Sequence, residues 1–309
     1  MKVLVSGGAG FIGSHVVETL LAAGHQVVVL DDLSSGRREN LPAGVPLVVA
    51  DIRDPDLAHR LAGEGVEAIS HLAAQISVPA SVADPRRDAE INVAGAVNLL
   101  HCAVVWGARR FVFISSGGAV YGEPEAIPVG EEHPIRPLSP YAVSKRCGEQ
   151  YLDYFHRAHG LATVSLRFAN VYGPRQIPLG EAGVVAIFMA ALAQGREPTI
   201  YCPPGMPEGC LRDYVYVKDC ARANLLALTA GQGAYNIGTG MATSTLGLWR
   251  AIQDAAGVEL GHRRGPFRTG DILRSALDSA RAARDLGWRP RYDLGAGLAE
   301  TWAWARGER

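Results

Sequence analysis

The 309-residue sequence predicts an α/β fold in which a doubly wound parallel sheet is joined to a smaller C-terminal α+β domain. Strand and helix patterns alternate through the first half, and a glycine-rich segment follows the first strand pattern. From Gly173 onward prolines and glycines become frequent and the helical runs shorten. We therefore expect a first domain over residues 1–172 and a second over 173–309, with some segments of the second returning to the first.

The first element is a short apolar strand over residues 2–5, which Gly7, Gly10 and Gly13 follow at once. Apolar residues then recur at helical spacing from Ile12 to Leu21. A glycine-rich turn from strand to helix lets backbone N–H groups and the helix N-terminus approach a pyrophosphate. The segment therefore predicts a Rossmann-type site for a dinucleotide.

The second strand pattern, residues 26–30, ends at Asp31, which stands 18 residues after Gly13. This is close to the spacing of about 20 residues expected for the acid that binds the adenosine ribose. A carboxylate accepts hydrogen bonds from the 2′- and 3′-hydroxyls of that ribose and repels a 2′-phosphate. Because Asp32 adds a second negative charge, the sequence favours NAD over NADP.

Further elements alternate in the same way. Strand patterns lie at residues 47–49, 68–69, 111–114 and 164–166, and helical patterns lie near 55–63, 87–106 and 141–159. Ligands of doubly wound sheets bind at the carboxyl ends of the strands. The residues that fall at such ends are Gly7, Asp31, Asp51, Ala73, Ser116 and Asn170.

Composition narrows the classes of function. Hydrophobic residues make up 48% and charged residues 20%, with a net charge of −1, as in an ordinary soluble globular protein, so nucleic acid and membrane are not expected as partners. The five cysteines form no C-x-x-C pair, which favours free thiols in a reducing compartment. No signal peptide or membrane span is visible, so we expect a cytoplasmic protein. His156 and His159 alone are too few for a metal site, and none is predicted.

Near the middle of the chain, Tyr141 and Lys145 are four residues apart on a predicted helix. This spacing places them one helical turn apart, where the ammonium can lower the pKa of the phenol. Such a pair predicts abstraction of a proton beside a hydride acceptor.

Motifs along nearly the whole chain resemble the extended short-chain dehydrogenase/reductases and, within them, the nucleotide-sugar 4-epimerases that act on UDP-glucose and UDP-galactose. The resemblance is carried by VLVSGGAGFIGSHVVETLL, DDLSSGRREN, DIRD, HLAAQ, INVAGAVNLL, SSGGAVYGE, SPYAVSK, RFANVYGPRQ, LRDYVYVKD, YNIGTG, RTGD and DLGWRPRYDL.

The resemblance implies two sets of contacts. Those to NAD would come from Gly7, Gly10, Phe11, Ile12, Gly13, Asp31, Asp32, Ser34, Ser35, Gly36, Asp51, Ile52, Leu72, Ala73, Ala74, Asn92, Ser115, Tyr141, Lys145 and Phe168. Those to a UDP-sugar would come from Ser116, Gly117, Tyr141, Asn170, Val184, Thr199, Tyr201, Arg212, Arg268 and Asp271. Arg212 and Arg268 are the fixed cations that a nucleoside diphosphate needs.

One position departs from the family. A Ser or Thr usually stands four residues before the Tyr of the V-Y-G motif, and here that position is Gly117. Ser116 is the candidate to replace it, beside Tyr141 and Lys145 as catalytic residues. Related 4,6-dehydratases carry Asp-Glu where Gly118 and Ala119 stand, and related uronate decarboxylases carry Glu at the second of these positions. Neither Gly118 nor Ala119 can carry a proton, so neither reaction is expected.

The expected function is therefore NAD-dependent 4-epimerisation of a UDP-sugar, by oxidation at C4, rotation of the 4-keto sugar and reduction on its other face. UDP-glucuronate, with Arg175 near Asn170, and UDP-N-acetylglucosamine remain alternative substrates. A non-catalytic NAD-binding regulator is a remoter alternative. The helices near residues 87–106 and 141–159 resemble those that pair across the family's dimer, so a homodimer is expected. Its apolar surface would come from Ile91, Val97, Leu99, Leu100, Val104 and Val105, although some of these must face the sheet.

Overall fold

A computed structural model describes residues 1–178, 183–267 and 272–307. Its strands are β1 Lys2–Ser6, β2 Gln26–Asp31, β3 Leu47–Val49, β4 Ala68–His71, β5 Arg110–Ser116, β6 Ala162–Phe168, β7 Asn170–Tyr172, β8 Thr199–Cys202, β9 Leu211–Tyr216, β10 Gly233–Ile237, β11 Ala242–Ser244, β12 Arg263–Pro266 and β13 Arg274–Ser275.

The α-helices are α1 Phe11–Ala22, α2 Leu57–Arg60, α3 Val78–Ala83, α4 Pro85–Ala89, α5 Gly95–Val105, α6 Gly117–Val120, α7 Pro140–His159, α8 Val184–Ala193, α9 Val217–Ala227, α10 Thr245–Ala256, α11 Ala280–Asp285 and α12 Leu294–Ala305. A π-helical turn, Glu90–Ala94, joins α4 to α5 without a break. None of the helices in the described residues combines the length and apolar character needed to cross a membrane.

Seven parallel strands form the central sheet, in the order β10-β6-β5-β4-β1-β2-β3. The predicted alternation of strands and helices and the doubly wound fold class are confirmed. The order reverses between β1 and β4, so the loops after these two strands lead to opposite sides and leave a crevice at their carboxyl ends. The last strand, β10, comes from the second half of the chain and pairs with β6. The division at residues 172 and 173 remains a prediction.

Both faces of this sheet are covered, which explains the nearly continuous apolar strands. Helices α1 and α9 pack against each other on one face, over a core that includes Val5 and Val112. Helices α5 and α7 cover the other face, over a core that includes Leu4 and Phe113. Alternate residues of one strand therefore enter two different cores, and neither face of the strand is exposed to water.

The second half of the chain forms a further core between α8, α10 and α12, around the fully buried Trp249. Strand β9 is central in this half, because β7, β11 and β13 each pair with it in one small sheet. The buried carboxylate of Asp213 on β9 accepts hydrogen bonds from the backbone N–H groups of Thr239, Gly240 and Leu277. It thereby joins the loop after β10 to the segment after β13.

A buried ion pair fixes α7 on the sheet. Arg167 of β6 donates two hydrogen bonds to the carboxylate of Glu149 on α7, at 2.8 and 2.7 Å, and a third to the hydroxyl of Tyr121 at 2.8 Å. Tyr121 in turn donates to Asn236 of β10 at 2.7 Å. Because Arg167 lies beside it, the carboxyl of Glu149 keeps its pKa below the ordinary value in spite of its burial.

Removing the cation from this network should destabilise the fold. We expect Arg167→Ala to lower the free energy of unfolding by about 3–5 kcal/mol, because Glu149 is left as an uncompensated buried charge. Arg109→Ala breaks a pair with Glu67 in which the two side chains are 76% and 41% exposed, and should cost less than about 1 kcal/mol. Urea denaturation of the two variants measures both values, and equal losses would show that the buried pair has no special role.

Candidate active site

The glycine-rich turn after β1 has no room for side chains. Gly7 has φ of +70°, and a Cβ added to it would lie 2.6 Å from the backbone nitrogen of Ala73. A Cβ on Gly13 would collide with the carbonyl of Gly7. Helix α1 begins at Phe11, and its N-cap residue, Gly10, provides no side-chain cap. The N–H groups of the first turn are thus free of a side-chain acceptor at the N-cap, which fits a pyrophosphate.

Asp31 lies at the carboxyl end of β2 beside this turn and is only 6% exposed. Its carboxylate accepts hydrogen bonds from the backbone N–H groups of Ala9 and Leu33, both at 2.9 Å. Burial raises the pKa of Asp31 above its ordinary value, although these two bonds oppose the change. Asp32 instead is exposed and accepts hydrogen bonds from Ser34. Asp31 therefore lies beside the glycine-rich turn, and its contact with the ribose stays a prediction.

Other residues predicted to contact NAD are used within the protein. Asn92 is 2% exposed, and its amide exchanges hydrogen bonds with the backbone of Gln75 and donates to Asp88. Asp51 forms an exposed ion pair with Arg53. Asn92 thus shapes the loop after β4, and its contact with NAD stays a prediction. The residue type alone does not reveal the role in this loop, because Gln75 lies 17 residues earlier in the chain.

The catalytic candidates meet at the carboxyl end of β5. Ser139 caps α7 by accepting a hydrogen bond from the N–H of Ala142, which places Tyr141 in the first turn of this helix and Lys145 in the next. Lys145 is 5% exposed and donates to the carbonyl of Ile114 at 2.9 Å. Its Nζ lies 5.8 Å from the centre of the Tyr141 ring. The hydroxyl of Ser116, the last residue of β5, interacts with the Tyr141 phenol.

Burial dominates the electrostatics of this group. It raises the pKa of Tyr141 to about 12, opposed by Ser116, and lowers the pKa of Lys145 to about 8. The lowering of the Tyr141 pKa that Lys145 and the nicotinamide of NAD together should produce stays a prediction. Helical spacing brings the two residues close together, but it does not reveal that Lys145 is buried and Tyr141 half-buried.

A cavity of about 1070 Å³ adjoins this group. Five residues predicted to hold the substrate line it together: Asn170, Val184, Thr199, Tyr201 and Arg212. They come from β7, α8, β8 and β9, which follow one another along the chain. The two other residues predicted for the nucleotide, Arg268 and Asp271, lie outside the described residues.

Gly117 packs against the core, and its contact with the substrate stays a prediction. A Cβ at this position would lie 2.5 Å from a methyl carbon of the buried Leu277, so a side chain here would point into the core. Gly118 and Ala119 line the cavity instead, and a Cβ on Gly118 would lie 3.4 Å from the amide oxygen of Asn170. The absent hydroxyl at Gly117 is therefore explained by packing against Leu277.

Among the described residues no group of three or more His, Cys, Asp or Glu side chains could hold a metal ion. Titratable groups near Tyr141 include one that the sequence did not reveal, the buried Asp88 of α4. No motif contains Asp88, and only the packing of α4 against α7 brings it to the site.

The protein is similar along its whole length to known epimerases. It is 48% identical over 309 residues to the UDP-glucose 4-epimerase of Mycolicibacterium smegmatis, with 97% of each chain covered. Among solved structures, the UDP-glucose 4-epimerase of Thermotoga maritima with UDP-glucose is 43% identical, with a TM-score of 0.95 and 99% of each chain covered. The UDP-glucose 4-epimerase of Thermus thermophilus in complex with NAD is 48% identical, with a TM-score of 0.94 and 99% of each chain covered.

The family model described as "NAD dependent epimerase/dehydratase family" matches residues 3–238, which include the glycine-rich turn, Asp31, Ser116, Tyr141 and Lys145. These matches agree with the geometry of the cradle and of the catalytic group. The chain belongs to the NAD-dependent epimerase/dehydratase family.

Proposed function

We propose that this protein interconverts UDP-glucose and UDP-galactose by NAD-dependent epimerisation at C4. The observation that carries the proposal is the meeting of Ser116, Tyr141 and Lys145 at the end of β5, next to the small residues that line the cavity. The full-length relatives named above are UDP-glucose 4-epimerases, one with UDP-glucose and one with NAD.

The residues divide the chemistry among themselves. The glycine-rich turn and Asp31 would hold NAD, which would supply the hydride acceptor and donor at C4, so the reaction would have no net redox change. Tyr141 takes the proton of the 4-hydroxyl and returns it after the sugar has turned. Ser116 donates to the oxygen on C4 as its charge changes, and Lys145 provides the nearby positive charge. Gly118 and Ala119 leave space at the wall of the cavity for the sugar to turn.

The charges around the cavity favour a neutral sugar. Arg175, which would suit UDP-glucuronate, pairs with Glu18 of α1 and does not line the cavity. Of the described residues that line it, only Arg196, Glu197 and Arg212 are charged. The lining also includes the apolar side chains of Ile76, Val78, Val82 and Leu138. UDP-N-acetylglucosamine remains the second candidate substrate. Turnover of UDP-glucose, UDP-N-acetylglucosamine and UDP-glucuronate, measured side by side, decides among the three substrates. Turnover of any of them rules out a non-catalytic regulator.

We further propose a cytoplasmic location. All five cysteines are free thiols, which suits a reducing compartment. Fractionation of cells that express the native protein at its normal level tests this location.

We expect Tyr141→Phe to reduce turnover by about two to four orders of magnitude, the range for the loss of a general base. The binding of UDP-glucose should change little, because the ring and its packing remain. Tyr151→Phe, an exposed change on the same helix, is the control and should retain wild-type turnover. If Tyr141→Phe keeps more than about a tenth of the wild-type rate, Tyr141 is not the base.

Ser116→Ala should lower turnover by about tenfold or more, because a donor aimed at the reacting oxygen is lost. Placing the family's hydroxyl at Gly117 should not rescue it: Gly117→Ser puts a Cβ against Leu277 and should cost about 1–3 kcal/mol of stability. Initial rates and thermal unfolding of the single and double variants measure both effects. Unchanged turnover of Ser116→Ala would remove this residue from the site.

We propose that the protein forms a homodimer through the outer faces of α5 and α7. Val105 on α5 and Val143, Tyr151 and Tyr154 on α7 are between 40% and 56% exposed, which is unusual for a group of apolar side chains. Leu99 and Leu100, which the sequence suggested for this surface, are buried under α5 in the core and cannot contribute.

Light scattering at micromolar concentration should give twice the 32.8 kDa mass of the chain. Tyr154→Glu places a charge in the proposed interface and should yield monomers. Met241→Glu, at an apolar residue that is 71% exposed elsewhere, should leave the mass unchanged. A wild-type mass equal to that of one chain contradicts the dimer.

A further inference from the structure

A buried carboxylate connects the loop after β4 to the catalytic helix. Asp88 of α4 is 1% exposed. One of its oxygens accepts hydrogen bonds from the side-chain amides of Gln75, at 2.8 Å, and Asn92, at 3.0 Å. The other accepts from the hydroxyl of Ser144 at 2.6 Å. Ser144 lies on α7 between Tyr141 and Lys145, so Asp88 holds the helix turn that carries both.

Asp88 has hydrogen-bond donors but no ion-pair partner within the part of the chain that the structure describes. An unpaired charge in this position is costly, because burial removes the water that would stabilise it. A neutral amide of the same shape could make the same three bonds. The negative charge itself therefore calls for an explanation beyond folding.

We propose that Asp88 is a positioning residue for the reaction at Tyr141: its carboxylate fixes the catalytic turn of α7 through Ser144 and supplies the negative charge that Tyr141 and Lys145 face. The proposal rests on the proposed function, in which Tyr141 is the base. It also connects two parts of the site, because Gln75 directly follows the loop residues predicted to contact NAD.

The other groups around Lys145 are neutral or compensated. Glu149, one turn further along α7, is paired with Arg167 of β6. His71 of β4 is uncharged at neutral pH, because burial lowers its pKa to about 3. Ser116 of β5 faces Tyr141 with a neutral hydroxyl. Asp88 is thus the uncompensated charge next to the pair: burial is the main cause of both pKa shifts, and Asp88 adds to the raised pKa of Tyr141 and partly offsets the lowered pKa of Lys145.

The direction of the effect follows from the charges. A nearby negative charge disfavours the phenolate and favours the ammonium, so it raises both pKa values. Asp88→Asn removes the charge and keeps the three hydrogen bonds, since the Ser144 hydroxyl can accept from the new amide. Both limbs of the plot of kcat against pH should then move to lower pH, by about one unit. KM for UDP-glucose should stay within about twofold, because Asp88 does not line the cavity.

Two variants separate charge from position. Asp84→Asn removes a charge from the exposed N-cap of the same helix, where Asn caps equally well, and should leave the profile in place. Ser144→Ala keeps the charge of Asp88 but removes the hydrogen bond between Asp88 and α7. This variant should lower kcat by about tenfold without moving either limb, because the base is less well held.

A pH profile of Asp88→Asn that coincides with the wild-type profile overturns the role of the charge, and a Ser144→Ala enzyme with unchanged kcat overturns the role of the contact. Partial unfolding cannot imitate the expected shift of the limbs, because it lowers the rate without moving them. If Asp88→Asn does not fold, the Ser144→Ala rate decides the proposal. If the wild-type enzyme turns over UDP-glucose and both variants keep its pH profile and kcat, this inference alone is refuted. Full activity of Tyr141→Phe instead refutes the proposed function.

Discussion

The ion pair between Arg167 and Glu149 is the interaction on which the geometry of the site depends most directly. It joins β6 to α7, and through Tyr121 and Asn236 it reaches the turn after β5 and the last strand of the sheet. Tyr141 and Lys145 are carried by that helix, and Ser116 lies at the start of that turn. A buried pair of this kind contributes little net stability, because dehydration offsets the attraction. Its value here is that neither charge can leave its partner, so the helix has one position on the sheet.

Dehydration also governs the chemistry of the site. Burial alone disfavours the charged form of every titratable group, so it raises the pKa of groups that ionise to anions and lowers the pKa of groups that ionise to cations. It raises the pKa of Tyr141 to about 12 and lowers that of Lys145 to about 8. The protein thus holds a phenol that is weakly ionised by itself next to a cation that is readily neutralised. Small changes of charge near the pair, such as those made by a bound cofactor, then have large effects on the proton.

The glycines of the two glycine-containing motifs are needed for different physical reasons. At Gly7 the backbone needs positive φ and at Gly13 the helix lies directly against the turn, so a cradle for a phosphate is formed from backbone alone. At Gly117 the reason is different, because the position is occupied by Leu277 from the far end of the chain. Two glycine motifs that look alike in the sequence thus serve binding in one case and core packing in the other.

The sequence by itself determined the fold class, the positions of the first six strands along the chain, the glycine-rich cradle with Asp31, and the spacing of Tyr141 and Lys145. These features are local: apolar periodicity, a short glycine pattern and a helical turn are all contained in segments of fewer than about 20 residues. Only the tertiary structure decided the features that need separate segments to come into contact. These are the pairing of β10 with β6, the burial that sets the pKa values of Tyr141 and Lys145, the partners of Asn92 and Arg175, and the contact of Asp88 with the helix turn that carries Tyr141. Burial and charge pairing are properties of neighbours in space, and no local pattern of residue types encodes which neighbours those are.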